Sequence, residues 1–287
     1  MEIDFKTVNS EEILKLSYYD ISENIKIPLL SYPLLENTGI VKHCFSTRMG
    51  GVSEGVFSSM NLSFSRGDDR ESVFENFRRL ALAMGTDPHN FVFTDQTHTA
   101  NIKRVHQSDA GSGIYKKREY ADIDGLITNE KDIVLSTFFA DCVPIYFVDP
   151  VHKAIGLSHS GWKGTIQKIG EKTILAMQEA FQSKPSELIC AIGPSICVKC
   201  YEISKDVALE FIKTFPDFYK DILIEKENEK YQLDLWKTNQ YILQNAGVKK
   251  ENIALTNICT CCNPKLLFSH RASHGKRGNL GAFLSLK

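Results

Sequence analysis

The feature that most constrains the fold is an apolar stretch near the middle of the chain that is interrupted once. Ile133–Phe138 and Val143–Val148 are rich in β-branched and aromatic residues, and the polar pair Asp141-Cys142 stands between them. Runs of this length and composition predict two short strands that are covered on both faces, at the centre of a layered structure. Because a buried carboxylate without a partner is costly, Asp141 is expected to have a hydrogen-bonding or charged neighbour.

Other segments of regular pattern lie on both sides of this centre. Strand composition marks Val41–Ser46, Ala154–Ser158, Leu188–Ile192 and Ile253–Thr256, and helical periodicity marks Asp68–Met84, Thr165–Phe181 and Asp234–Ala246. No internal repeat and no linker rich in Pro, Gly or Ser divides the chain. We therefore predict a single layered α+β domain over residues 1–287, with a mixed β-sheet core flanked by helices and residues 1–40 as a peripheral N-terminal segment.

Charge and the N-terminal residues limit the classes of function. Lys and Arg number 34 against 35 for Asp and Glu, so no bulk charge favours nucleic acid or a membrane surface as a partner. The apolar runs are too short to span a bilayer, and the first residues lack the basic start and apolar core of a signal peptide. We expect a cytoplasmic protein whose eight cysteines are reduced thiols.

The densest group of chemically active residue types follows the interrupted apolar stretch. The strand predicted at Ala154–Ser158 leads into His159, Gly161 and Gly164 allow a sharp turn, and Thr165 is suited to cap the next helix. The start of that helix presents free N–H groups, which favour an anion or a polarised oxygen beside His159. A structural interpretation, in which Cys142 is a small core residue and His159 an ordinary histidine at a strand end, stays open.

Two upstream segments carry weaker signals. His98 follows an apolar triplet at Phe91–Phe93, and a lone histidine there is more often a loop residue than a ligand. Arg48 precedes the pair Gly50-Gly51, and a guanidinium beside glycine amides can form an anion cradle, although a glycine turn with a surface arginine explains the same residues. The common glycine-rich signatures of nucleotide cofactors are absent from the sequence.

The remaining cysteines form two closely spaced groups. Cys197-x-x-Cys200 and Cys259-x-Cys261-Cys262 together offer enough thiolates for a structural zinc. The vicinal pair Cys261-Cys262 is unlike an ordinary zinc knuckle. The sequence therefore favours unligated thiols, buried or lining a pocket, over this structural site.

Taken together, the motifs resemble a known family. The resemblance to the YfiH/YlmD-like family extends from about Val41 to Lys287 and rests on seven segments in family order: Phe45–Ser53, Asp95–Thr99, Ala121–Gly125, Ala140–Pro144, His159–Gly164, Ile192–Ser195 and Phe268–Arg271. That family was once labelled multicopper polyphenol oxidase, or laccase, and is now regarded as zinc-dependent purine nucleoside phosphorylase with adenosine deaminase activity. The resemblance implies the same activities here, with purine nucleosides and phosphate as substrates.

The resemblance also implies a zinc site. Its ligands would be His98, Cys142 and His159, which leave a fourth position open as in catalytic zinc sites. This sequence departs from the family at four positions without losing a ligand: Thr97 stands for Val, Thr99 for Gly, Lys163 for Arg and His270 for Tyr. Copper is the less favoured metal, because no His-x-His pair occurs in the sequence.

Roles around that site are predicted as follows. Asp141 is the candidate proton carrier or the carboxylate that orients a metal-bound histidine, and Arg48 is assigned a catalytic contact. Arg48, Gly50, Gly51, Gln96 and Arg271 are assigned to substrate binding. Three alternatives remain: a metal-free hydrolase or deamidase with Cys142 as nucleophile and His159 as base, a non-catalytic protein stapled by zinc, and a copper-dependent polyphenol oxidase.

Overall fold

Short strands dominate the chain and group into sheets. A computed structural model describes residues 3–287, and all positions below lie within that range. The strands are β1 (Lys15–Ser22), β2 (Ile25–Ser31), β3 (Val41–Ser46), β4 (Phe91–Phe93), β5 (Ile102–Arg104), β6 (Gly125–Thr128), β7 (Val134–Phe139), β8 (Val143–Asp149), β9 (Ala154–Ser160), β10 (Ile189–Ile192), β11 (Glu202–Ser204), β12 (Leu223–Glu225), β13 (Lys230–Leu233), β14 (Ile253–Leu255) and β15 (Leu280–Leu286).

Seven α-helices accompany the strands of the described chain. They are α1 (Pro33–Glu36), α2 (Arg70–Met84), α3 (Trp162–Ile166), α4 (Ile169–Phe181), α5 (Lys205–Thr214), α6 (Tyr219–Ile222) and α7 (Leu235–Asn245). Helix α2 begins where the Asp69 side chain accepts a hydrogen bond from the Ser72 amide and ends at Gly85, whose φ of 60° is left-handed. None of the helices in residues 3–287 combines the length and the apolar character needed to cross a membrane.

Two six-stranded mixed sheets form the centre. Sheet 1 has the order β1-β2-β3-β15-β7-β4, and sheet 2 has the order β14-β10-β8-β9-β6-β5. A small third sheet has the order β11-β13-β12. In sheet 1, β15 is antiparallel to both of its neighbours, β3 and β7. The predicted α+β class with a mixed sheet core is confirmed.

The buried side chains separate into layers because strand residues alternate between faces. Tyr146 of β8 packs with sheet 1 residues such as Leu135 in the core between the sheets. Its neighbours Ile145 and Phe147 face the opposite way and pack with α4 and α7. On the outer face of sheet 1, α2 covers a third core. The sequence of layers is therefore helix, sheet 1, sheet 2, helices.

Most predicted segments agree with the observed elements, and two differ in an informative way. The predicted helix Thr165–Phe181 is two helices, because Lys168 adopts a left-handed φ of 57° between α3 and α4. Thr165 does not cap α4: it lies inside α3, where its hydroxyl donates to the Gly161 carbonyl at 2.9 Å. Residues 1–40 were expected to be peripheral, yet β2 pairs with β3 and its residues Ile27–Ser31 are buried.

Candidate metal centre

Three side chains from distant parts of the sequence converge in the structure. The metal-binding atoms of His98, Cys142 and His159 all lie within 4.8 Å of one another. The distance from Cys142 Sγ to His98 Nε2 is 4.0 Å. Tetrahedral zinc with ordinary Zn–N and Zn–S bonds separates a nitrogen and a sulfur ligand by about 3.6 Å, so this pair lies within a few tenths of an ångström of the distance that zinc requires. The donor set and its spacing therefore fit a metal ion with an open fourth position.

The site forms where the chain crosses from one sheet to the other. His98 lies in the loop from β4 of sheet 1 to β5 of sheet 2, and Cys142 lies in the turn from β7 of sheet 1 to β8 of sheet 2. His159 stands near the end of β9, directly opposite Pro144 of β8. Gly161 lets these segments meet, since a Cβ there would lie 2.8 Å from His98 Cδ2 and 3.2 Å from Cys142 Sγ.

A buried carboxylate that sequence reasoning did not single out holds two of the three ligands. Asp124 Oδ1 accepts from His159 Nδ1 at 2.7 Å and from the His98 amide at 3.2 Å. Its Oδ2 accepts from the amides of Thr97 and Thr99 at 3.1 and 2.8 Å and from the Thr99 hydroxyl at 2.9 Å. With Nδ1 donating to Asp124, Nε2 of His159 is the nitrogen free to bind a metal. Asp124 lies in the predicted family motif Ala121–Gly125, which was the available signal for it.

Asp141 has other hydrogen-bond partners than the histidines of the cluster, and its predicted role as a proton carrier stays a prediction. Its φ of 95° lets the chain turn between β7 and β8. Its carboxylate accepts from the Thr260 hydroxyl and from the Arg271 amide, each at 2.7 Å, so it has the partners that its burial required. The carboxylate that orients His159 is Asp124. Asp141 instead holds the turn that carries Cys142 against the Thr260 and Arg271 loops.

The ligand side chains shift one another's proton affinities. Burial raises the pKa of the Cys142 thiol, but His159 and His98 outweigh burial and lower that pKa to about 6. Burial lowers the pKa of His159, but the Cys142 thiolate and the Asp124 carboxylate raise it to about 9. Asp124 itself is desolvated, yet its bond to His159 and the surrounding amides hold its pKa below the ordinary value. Near neutral pH, Cys142 is therefore a thiolate, the form that binds metals and attacks electrophiles.

A cavity of ≈ 300 Å³ opens on the cluster. Its wall carries three cations, Arg66, Arg118 and Arg277, together with the aromatic rings of Phe64, Phe93 and Phe138. Arg118 is paired with Asp95 at 2.7 Å.

Arg277 is the unusual cation of this wall. It is only 9% exposed, and its Nε has no hydrogen-bond partner among the described residues. Burial and, secondarily, the charge of Arg66 lower its pKa to about 10, so it is protonated at neutral pH. Its Nη1 donates to Asn279 Oδ1 and to the Gly278 carbonyl, so part of the guanidinium is held by its own loop. A guanidinium at the wall of a cavity with donor capacity left over is suited to bind an anion.

The structure does not bring Arg48, Gly50 or Gly51 to this cavity. The Arg48 guanidinium donates to the carbonyls of Ser58 and Pro264 at 2.8 and 2.7 Å, so its donors serve two loops. A Cβ on Gly51 would lie 2.1 Å from the Ser59 carbonyl oxygen. The glycine pair therefore permits close backbone packing, and the Gly51 amide donates to Ser59 Oγ at 3.1 Å.

The other two predicted substrate residues have separate positions. Gln96 lines the cavity, and its side-chain amide makes two 2.8 Å hydrogen bonds with the Phe138 backbone, one as donor and one as acceptor. Arg271 lies outside the cavity lining, because its guanidinium donates to the carbonyls of Cys200 and Glu202, both at 2.9 Å. Arg277, six residues further along, was missed because nothing in its local sequence distinguishes it from a surface arginine.

The chain is therefore an α+β protein with two histidines and one cysteine that could bind a metal where it crosses between its two central sheets. The chain belongs to the family described as multi-copper polyphenol oxidoreductase laccase, whose model matches residues 42–287. The resemblance identified from the sequence motifs is thereby confirmed.

Relatives of similar length are named as purine nucleoside phosphorylases rather than as laccases. The chain is 37% identical over 247 residues to purine nucleoside phosphorylase YlmD of Bacillus subtilis, covering 85% of this chain and 87% of that protein. It is 31% identical over 253 residues to a purine nucleoside phosphorylase of Bacteroides thetaiotaomicron, covering 88% and 94%. The crystal structure of YlmD from Geobacillus stearothermophilus matches with a TM-score of 0.85 and 34% identity, over 94% of this chain and 98% of that chain.

Proposed function

We propose that this chain is a zinc-dependent purine nucleoside phosphorylase that also deaminates adenosine. The observation that carries the proposal is the open His98–Cys142–His159 cluster at a cavity whose wall holds the partly unpaired Arg277. The names of the relatives YlmD and the Bacteroides thetaiotaomicron protein support the phosphorylase half. The deaminase half rests on the family resemblance alone. A cytoplasmic location stays a prediction from the N-terminal residues.

Zinc suits the cluster better than copper does. Two histidines and a cysteine also bind blue copper, but that site needs a weak axial ligand such as Met or Gln. No Met lines the cavity, and the Gln96 oxygen already accepts from the Phe138 amide and the Thr94 hydroxyl. His98 and His159 are also the only histidines in residues 3–287 that join a potential metal cluster, whereas a multicopper site needs several more.

Each part of the site has a task in phosphorolysis. A zinc ion held by the three ligands would supply Lewis-acid chemistry at its open position. Arg277, with Arg66 beside it, would bind phosphate so that one oxygen attacks C1′ of the ribose. The C1′–N9 bond then breaks, its electron pair leaves with the purine, and the purine takes up a proton. The rings of Phe64, Phe93 and Phe138 offer an apolar wall for the flat base.

The test combines a product assay with two variants of the metal cluster. Purified protein incubated with adenosine and phosphate is expected to give adenine and ribose 1-phosphate, and without phosphate to give inosine. Cys142→Ala and His159→Ala should abolish both products. Unchanged turnover in these two variants would refute the assignment.

Arg277→Gln separates the proposed phosphate contact from the rest. Loss of a charge-assisted hydrogen bond should raise KM for phosphate about 10- to 100-fold and change deamination much less. Arg78→Gln, an exposed arginine paired with Glu75 on α2, is the matched control and should leave both activities unchanged. An unaltered KM for phosphate in Arg277→Gln would remove Arg277 from the proposal.

A metal-free cysteine hydrolase is the second candidate, and the thiolate–imidazolium character of Cys142 and His159 favours it. Iodoacetamide labelling discriminates between the two functions. A free nucleophile is alkylated selectively at Cys142 whether or not zinc is present. A ligand is protected by zinc and becomes reactive when a chelator removes the metal.

A further inference from the structure

We propose that Cys197, Cys200, Cys259 and Cys262 form a second metal site, a tetrathiolate zinc centre that joins two loops beside the first cluster. The four Sγ atoms all lie within 4.8 Å of one another. Sequence spacing alone favoured unligated thiols at these positions, because the Cys261-Cys262 pair is unlike a simple knuckle. The structure resolves that objection, since Cys262 belongs to the cluster and Cys261 does not.

The spacing of the sulfur atoms fits zinc. Four thiolates at the usual Zn–S bond length form a tetrahedron whose edges are about 3.8 Å. The distance between Cys200 Sγ and Cys262 Sγ is 3.5 Å, close to such an edge and far longer than the roughly 2.05 Å of a disulfide bond. All eight cysteines of the chain are free thiols in the structure. Closed four-sulfur sets of this kind are typical of structural zinc.

Burial and backbone hydrogen bonds of the four cysteines also favour a bound metal ion. Cys259 is 0% and Cys197 3% exposed, so thiolates there would need a cation to balance their charge. The Cys197 amide donates to Cys259 Sγ at 3.2 Å, a bond that stabilises a negative sulfur. The Cys200 amide donates to the Cys197 carbonyl at 3.0 Å, which closes the tight turn of a Cys-x-x-Cys loop.

The two loops are already aligned without the metal. Ser195 and Cys259 form an isolated parallel bridge, and the Thr260 amide donates to the Ser195 carbonyl at 3.1 Å. One loop therefore contributes Cys197 and Cys200, and the other contributes Cys259 and Cys262. A zinc ion would fix the distance between them.

This second centre connects to the first through hydrogen bonds. Thr260, next to Cys259, donates to Asp141 Oδ1 at 2.7 Å, and Asp141 precedes Cys142 in the turn. Arg271 donates through its guanidinium to the Cys200 carbonyl and through its amide to Asp141. The tetrathiolate centre would thereby position the turn that carries Cys142.

Zinc counting on purified protein tests the proposal, and it does not depend on what the enzyme catalyses. Wild-type protein should contain two zinc ions per chain by elemental analysis. The double variant Cys200→Ser/Cys262→Ser should contain one zinc, bound by His98, Cys142 and His159. Cys142→Ala should also contain one zinc, bound by the four cysteines of the second site. Cys261→Ser, the sequence neighbour outside the cluster, is the matched control and should keep two.

X-ray absorption at the zinc edge identifies which centre remains. Wild-type protein should average about 2.5 sulfur ligands per zinc, Cys142→Ala about four, and the double variant about one. If the double variant fails to fold, the wild-type value alone decides, because a lone His98–Cys142–His159 site gives one sulfur. A single zinc with one sulfur in wild-type protein, or a Cys200–Cys262 disulfide in its peptide map, would overturn the proposal. Absence of phosphorylase activity would leave these counts unaffected.

Discussion

Replacing Asp124 by Asn should damage both the fold and the metal centre, in amounts that the structure allows us to estimate. The carboxylate accepts five hydrogen bonds, from two side chains and three backbone amides. An Asn amide has one oxygen, so in either orientation its NH₂ group faces at least two N–H donors. Each buried donor left without an acceptor costs about 1–3 kcal/mol, which predicts a loss of about 2–6 kcal/mol in the free energy of unfolding.

The same substitution should weaken metal binding through His159. Loss of the carboxylate that fixes a ligating histidine typically reduces metal affinity or activity about 10- to 100-fold. Urea denaturation of Asp124→Asn gives the stability change, and competition with a chromophoric chelator gives the zinc affinity. Asp122→Asn is the matched control, because that exposed carboxylate in the same loop contacts only the Thr97 hydroxyl through Oδ1. Stability within about 0.5 kcal/mol of wild type and an unchanged zinc affinity would show that Asp124 does not support the site.

Three further perturbations have defined outcomes. Gly161→Ala should lower zinc content measured by elemental analysis with little change in secondary structure, because its Cβ would meet His98 and Cys142; full zinc occupancy would refute the steric argument. Phe77→Ala should cost about 3–5 kcal/mol in urea denaturation, whereas Leu82→Ala, 65% exposed on the same helix, should cost little; equal costs would contradict the packing. Burial lowers the pKa of His43 to about 4, and its neutral Nε2 accepts a hydrogen bond from the Tyr32 amide. The neutral ring therefore contributes its full stabilisation above pH 6.5, and this contribution is lost as the pH falls toward 4. Stability measured at pH 7 and 4.5 should therefore differ by about 2–3 kcal/mol more in wild type than in His43→Gln, and identical differences would exclude His43 as the cause.

Local pattern was sufficient for most of the central elements. Val41–Ser46 is a strand with the predicted bounds, and Val143–Val148 is all but one residue of β8, because β-branched runs between turn residues carry that information locally. Strand β15 was not predicted, although it pairs with two others. Its position between β3 and β7 depends on contacts with distant segments, which no local window contains.

In the site, too, some residues were predictable from local sequence motifs and others depend on contacts between distant segments. The three metal-ligating candidates were predicted through motif resemblance, and the structure brings all three together. Asp124 and Arg277 were not predicted, since their burial and their hydrogen-bond partners depend on tertiary packing. Arg48 and Arg271 have the residue type of an anion contact, but backbone carbonyls occupy their guanidinium groups.

The central place of β15 determines when sheet 1 can close during synthesis. Its partner β3 is synthesised about 240 residues earlier. In a nascent chain, the edges of β3 and β7 that pair with β15 therefore stay unpaired until Leu280–Leu286 emerges from the ribosome. Phe45 and Leu135 border that gap and would be exposed to solvent and to chaperones meanwhile. Premature termination anywhere before β15 should therefore yield an aggregation-prone product, rather than a shortened protein with partial activity.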